Sequence, residues 1–133
     1  MAIKKFELKK AYEDLQLGEK TYRLDLSDAA MQKYVQIPKL LEDFEKNNKK
    51  IDAYSATEEQ VSERFNQQQQ MMKQLIETCL GEEAYDSLFE ECGGSHLPLL
   101  PVFDYLSGVI LQHMNELGLV ENEQLKKLKR KVK

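Results

Sequence analysis

Leu15-Gln16-Leu17-Gly18-Glu19-Lys20-Thr21-Tyr22-Arg23-Leu24-Asp25-Leu26-Ser27-Asp28 decides how the rest of the chain is read. Leu15 and Leu17 alternate with polar neighbours, Gly18-Glu19-Lys20 supplies a turn, and Tyr22, Leu24 and Leu26 resume the alternation. Arg23 and Asp25 fall on the opposite face. A period of two on both sides of a glycine turn predicts a β-hairpin over residues 13–26. Phe6 and Leu8 alternate as well, so pairing could begin earlier. A hairpin alone is marginally stable in water. Its apolar face therefore needs a helix, or another copy of itself, to pack on.

Downstream the period changes to that of a helix. Ser27 is a suitable N-cap, with Asp28 in the first turn. Met31, Tyr34, Val35, Leu41 and Phe44 then make an apolar stripe that Pro38 should kink or interrupt. Asn47-Asn48-Lys49-Lys50 reads as a polar connection, with Ile51 and Tyr54 as possible anchors. Thr57 and Gln60 form a capping box. Val61, Phe65, Met72, Leu75, Ile76, Cys79 and Leu80 follow on one helical face, crossed by the solvated run Gln67 to Gln70, and Gly81 ends the helix. Ala84, Tyr85, Leu88 and Phe89 predict a short helix closed by Gly93-Gly94. Pro98 can open the last helix, whose buried face is Val102, Phe103, Leu106, Ile110, His113, Met114 and Leu117, with Gly118 at its end.

The expected fold is mainly α: one compact helical domain over residues 1–120 with an N-terminal β-hairpin, then a basic tail over 121–133. With 133 residues there is room for one domain but not comfortably for two. The net charge of −4 is unevenly spread. Residues 121–133 hold six Lys/Arg against Glu121 and Glu123, a net of +4, which leaves −8 for the remainder. An acidic body disfavours general binding to phosphate backbones. The tail has no aromatic side chain for stacking on bases, so no nucleic-acid partner is expected. The first residues, Met-Ala-Ile-Lys-Lys-Phe-Glu, contain no apolar signal core. Leu97 to Phe103 is too short to cross a bilayer. These features lead us to expect a reduced, cytoplasmic protein with no membrane partner.

No constellation for catalysis stands out. Cys92 and His96 are the closest cysteine–histidine pair, but they flank the flexible Gly93-Gly94-Ser95. Cys79 lies at helical spacing from Met72 and Ile76, as a core residue would. Cys79, Cys92, His96 and His113 lack the close pairs typical of a zinc site. Gly93-Gly94 lacks the lysine of a phosphate loop. The many carboxylates fall at helix starts or on solvated faces. We therefore expect a protein-binding module with no catalytic site, metal or cofactor.

The hairpin stretch quoted above resembles the opening of tail assembly chaperones of long-tailed bacteriophages and related prophages. Those proteins often begin with a strand, a "G-x-K-x-Y" turn, a second strand and a "D-x-S-D" entry into a helix. Leu75-Ile76-Glu77-Thr78-Cys79-Leu80-Gly81-Glu82-Glu83-Ala84-Tyr85-Asp86-Ser87-Leu88-Phe89 is similar to the family's helix ending in "LG" followed by a short helix. The last helix is similar in position and apolar face, so the likeness covers residues 13–117. It implies a chaperone that binds the tape measure protein and keeps it soluble in the host cytoplasm until the tail tube polymerises. It also implies absence from the mature virion. In that family a longer product of a ribosomal frameshift is thought to recruit the tail tube protein, and the lysine-rich end here is compatible with a slippery site.

The residues themselves suit such a client. Met31, Met71, Met72 and Met114 could give an adaptable apolar surface, and the acidic body would keep a coated complex soluble. Phe65, Met72 and Phe103 are the expected client contacts, on the exposed parts of their stripes. Self-association through the hairpin or a helix face is expected if several copies coat one client. The alternative is a helical adaptor or regulatory module with a different client.

Overall fold

The computed structural model describes residues 2–47 and 50–120, so the expectation for the tail over 121–133 lies outside the described residues. The hairpin pairs β1 (Tyr12–Leu17) with β2 (Lys20–Asp25) in antiparallel register, Leu17 opposite Lys20 and Leu15 opposite Tyr22. The turn is two residues long. Gly18 sits at φ +64° in its first central position, where a side chain is strained, while Glu19 keeps a negative φ. That arrangement matches a type II′ turn, whose twist suits a hairpin.

Helix α1 (Asp28–Tyr34) begins as read from the sequence, with the Ser27 hydroxyl accepting from the Ala30 N–H. Asp25 orders this junction. Its carboxylate accepts the Ser27 N–H at 2.9 Å, and these bonds to Ser27 hold its pKa below the usual carboxylate value. The helix is interrupted by a turn at Val35–Gln36, and α2 runs Ile37–Asn47. Pro38 causes this interruption and lies in the first turn of α2, where its missing N–H costs nothing.

Helix α3 (Glu58–Leu80) carries the capping box between Thr57 and Gln60 in full. Gly81 ends it, and α4 (Ala84–Glu91) runs back alongside, with Lys73 Nζ 4.0 Å from Asp86 Oδ1. Pro98 opens a single 3-10 turn, Leu97–Leu99. Helix α5 (Leu100–Glu116) starts after it, with Pro101 in its first turn. Helix α3 is the axis of the domain and packs against α1, α2, α4, α5 and β2.

One core joins all these elements: Leu24 from the hairpin, Met31 and Tyr34 from α1, Met72, Leu75, Ile76 and Cys79 from α3, Tyr85 and Leu88 from α4, and Phe103, Leu106, Ile110 and Met114 from α5. The Phe44 and Phe103 rings meet at 4.9 Å between centroids. Tyr34 ties helix to hairpin, its O–H donating to the Asp25 carbonyl at 2.6 Å. The expectation of an adaptable methionine surface is corrected here. Met31, Met72 and Met114 are buried, and only Met71 is partly open. Their thioethers fill gaps between helices, a common use of a flexible apolar side chain.

Candidate client-binding surface

Two of the three expected client contacts belong to the core. Met72 is fully buried on α3, and Phe103 is buried on α5 against Phe44. The Met72 thioether and the Phe103 ring are closed off by neighbouring helices, so this fold corrects the expectation that they offer contact surface. Phe65 is different, because it is 51% exposed.

The reason lies in helix length. Helix α3 has 23 residues, whereas α4 has 8 and α5 has 17. At 1.5 Å per residue its first turns run past the helices that cover its second half. The stripe that buries Met72, Ile76 and Cys79 therefore emerges at its N-terminal end as Val61 and Phe65. Phe65 rests on His96, ring centroids 5.0 Å apart, and His96 is itself buried. Leu97 follows directly. Val61, Phe65 and Leu97 are 53%, 51% and 68% exposed and form an apolar patch at this end of the domain. Val61 and Phe65 are one helical turn apart, the spacing of anchors that meet an amphipathic helix.

Acidic side chains flank the patch. Glu58, Glu59 and Glu63 share the same first turns of α3 and are exposed. A shallow open groove lined by Glu58, Glu59, Ser62, Glu63, Asn66, Gln67, Gln70 and Met71 runs along the side of α3 turned away from the core. Leu97 was not singled out from the sequence as a contact. Its signal was present: the run Leu97 to Phe103 holds more apolar side chains than one helix face can bury.

The groups with reactive chemistry are dispersed. Cys79 is buried, and desolvation pushes its thiol pKa up to about 12, which suppresses the nucleophilic thiolate. Cys92 is half-buried at the end of α4. His96 is occupied by packing under Phe65. Among the described residues no group of three His, Cys, Asp or Glu side chains is placed to hold a metal ion. No helix among them is long and apolar enough to cross a membrane.

The two cysteines should respond differently to a thiol reagent. In the native protein Cys92 is expected to react and Cys79 to stay protected until denaturant is added, read by mass spectrometry of the labelled peptides. The folded pKa of Cys79 lies above the roughly 8.5 of a free thiol. Its contribution to stability is therefore full below that pH and declines as pH rises toward 12.

The fold defines a mainly helical domain with an N-terminal hairpin and an apolar patch on an acidic body. No protein-family model, curated protein or solved structure matches this chain.

Proposed function

We propose that this protein is a tail assembly chaperone of a long-tailed bacteriophage or prophage, which holds the tape measure protein soluble in the host cytoplasm until the tail tube forms and does not remain in the virion. The observation that carries this reading is the patch of Val61, Phe65 and Leu97, three large apolar side chains held open at one end of a charged domain. A tape measure protein is a long helical polymer with apolar stripes. An amphipathic helix can lay such a stripe across Val61 and Phe65, while the flanking carboxylates keep the coated complex soluble. The resemblance over residues 13–117 adds the choice of client. A longer frameshifted form would add contact with the tail tube protein.

Co-expression with a tape measure protein, a large helix-rich chain, tests the reading. The expected result is that the large protein becomes soluble and co-purifies only when this chain is present. Phe65→Asp should reduce its recovery about 30-fold, the effect of losing an anchor worth roughly 2 kcal/mol. Circular dichroism should be unchanged, because Phe65 is already half in solvent. If the large protein stays insoluble beside folded wild-type chain, the adaptor reading with another client replaces this one.

A further inference from the structure

Among the described residues the sheet has two strands, and its two edges are not alike. Leu17 and Lys20 flank a two-residue turn and so form a hydrogen-bonded pair. The alternation of an antiparallel ladder then makes Leu15–Tyr22 and Glu13–Leu24 the other bonded pairs. Asp14 and Gln16 consequently point their N–H and C=O groups away from β2, into the free edge of β1, and both residues are exposed. At the edge of β2 the Asp25 carbonyl is taken by the Tyr34 hydroxyl at 2.6 Å. The apolar layer is also open on the β1 side. Leu24 of β2 is fully buried, but Leu15 and Leu17 of β1 are only half-buried. Tyr105, which donates to the Glu13 carboxylate, is exposed beneath the same strand.

The segment before β1 has what this edge lacks. Residues 2–10 have no regular secondary structure, and Ile3, Phe6 and Leu8 are 84%, 72% and 92% exposed. Extended, the segment places Lys4, Phe6 and Leu8 on one face and Ile3, Lys5, Glu7 and Lys9 on the other. Lys4, Lys5, Lys9 and Lys10 against Glu7 give it a net charge of +3, so of the −8 on residues 1–120, residues 11–120 carry −11. Arm and body are thus complementary in charge as well as in apolar pattern.

The arm is poorly placed to reach its own edge. Only Lys10, the last residue of the segment, and Ala11 lie between its strand-forming part, residues 2–9, and β1, and the Tyr12 N–H already bonds the Lys10 carbonyl at 3.0 Å. A two-residue hairpin turn needs a residue at positive φ. No glycine precedes Gly18, and among the described residues no other residue type has positive φ. A three-residue loop over 9–11 would set Leu8 opposite Tyr12 and Phe6 opposite Asp14, on the face away from Leu15 and Leu17, and a four-residue loop would consume Leu8 itself.

We infer that the arm of one copy pairs as a third strand with the β1 edge of a second copy, and the reverse, giving a two-fold dimer by exchange of arms. Phe6 and Leu8 cover Leu15 and Leu17 beside Tyr105, and Lys5 and Lys9 lie on the face of Asp14. Eight residues of extended arm, about 27 Å, exceed the roughly 20 Å of β1.

The full chain is examined by analytical ultracentrifugation from low micromolar to millimolar concentration, with amide exchange read at Asp14 and Gln16. The expected result is a dimer in which both amides are protected. The arm variant Phe6→Glu/Leu8→Glu alters only exposed side chains and should lose both dimer and protection. Gln16→Pro removes an N–H that β2 does not use, and should also abolish the dimer while the hairpin persists. Mixing the two variants should restore a heterodimer, because one sound arm then meets one sound edge. A wild-type chain monomeric throughout, a dimer that survives both substitutions, or protected amides in a monomer would each overturn the inference; the last would mean that the arm closes on its own chain.

Discussion

Phe103→Ala is expected to remove about 3–5 kcal/mol of stability, the usual cost of emptying a buried phenylalanine site. Phe103 is buried on α5, tilted 37° against Phe44 with ring centroids 4.9 Å apart, so α2 and α5 both lose a neighbour when the ring goes. Helices already packed through Leu106, Ile110 and Met114 can follow the loss only in part, so the void that remains adds to the lost transfer free energy of the ring. A domain of this size is stable by about 5–15 kcal/mol, so the variant should sit near its folding limit. The measurement is urea unfolding followed by circular dichroism, in which the midpoint should fall sharply with little change in slope. Phe65→Ala is the paired comparison and should cost about 1 kcal/mol or less. Equal costs for the two substitutions would show that Phe65 is as much a core residue as Phe103.

Gly18→Val is expected to cost about 2–3 kcal/mol and to lower the melting temperature by on the order of 10 °C. Two effects add. At φ +64° an L side chain is strained, most of all a β-branched one. A Cβ at this position would also overlap the Glu91 carboxylate, whose Oε1 accepts the Glu19 N–H at 2.9 Å. That bond, with Lys20 Nζ donating to Ser87 Oγ at 2.9 Å, holds the hairpin tip on α4. The Glu19 amide should lose its exchange protection in the variant. Glu91→Gln keeps an acceptor in place and should change stability little. A Gly18→Val protein as stable as wild type would show that the tip contact with α4 is dispensable and the turn able to change type.

Much of the architecture was legible because it is set locally. The alternation of Leu15, Leu17, Tyr22 and Leu24 around Gly18 fixes a hairpin and its inner face without reference to anything else. Ser27, the Thr57–Gln60 box, Gly81 and Gly93-Gly94 mark helix ends through bonds to backbone groups within a few residues. Pro38 interrupts for a reason internal to its own ring. The boundaries read from these residues agree with the structure to within about two residues, the ordinary tolerance at element ends.

What the sequence could not decide is how far each stripe is covered. Val61, Phe65, Met72 and Ile76 have the same helical spacing, and periodicity treats them alike. Burial separates them, because it depends on the lengths of α4 and α5 and on where the chain after Gly94 brings His96 against α3. The same holds for Phe103, Met72 and Met114, whose closure needs partners from other helices. It holds also for Glu91, which sits 72 residues from the amide it accepts. Sequence by itself determined which residues are apolar, their period and where elements stop, since those follow from side-chain chemistry and nearby backbone. Only the tertiary structure decided which apolar residues remain in water, since exposure is a property of the neighbours that distant segments supply.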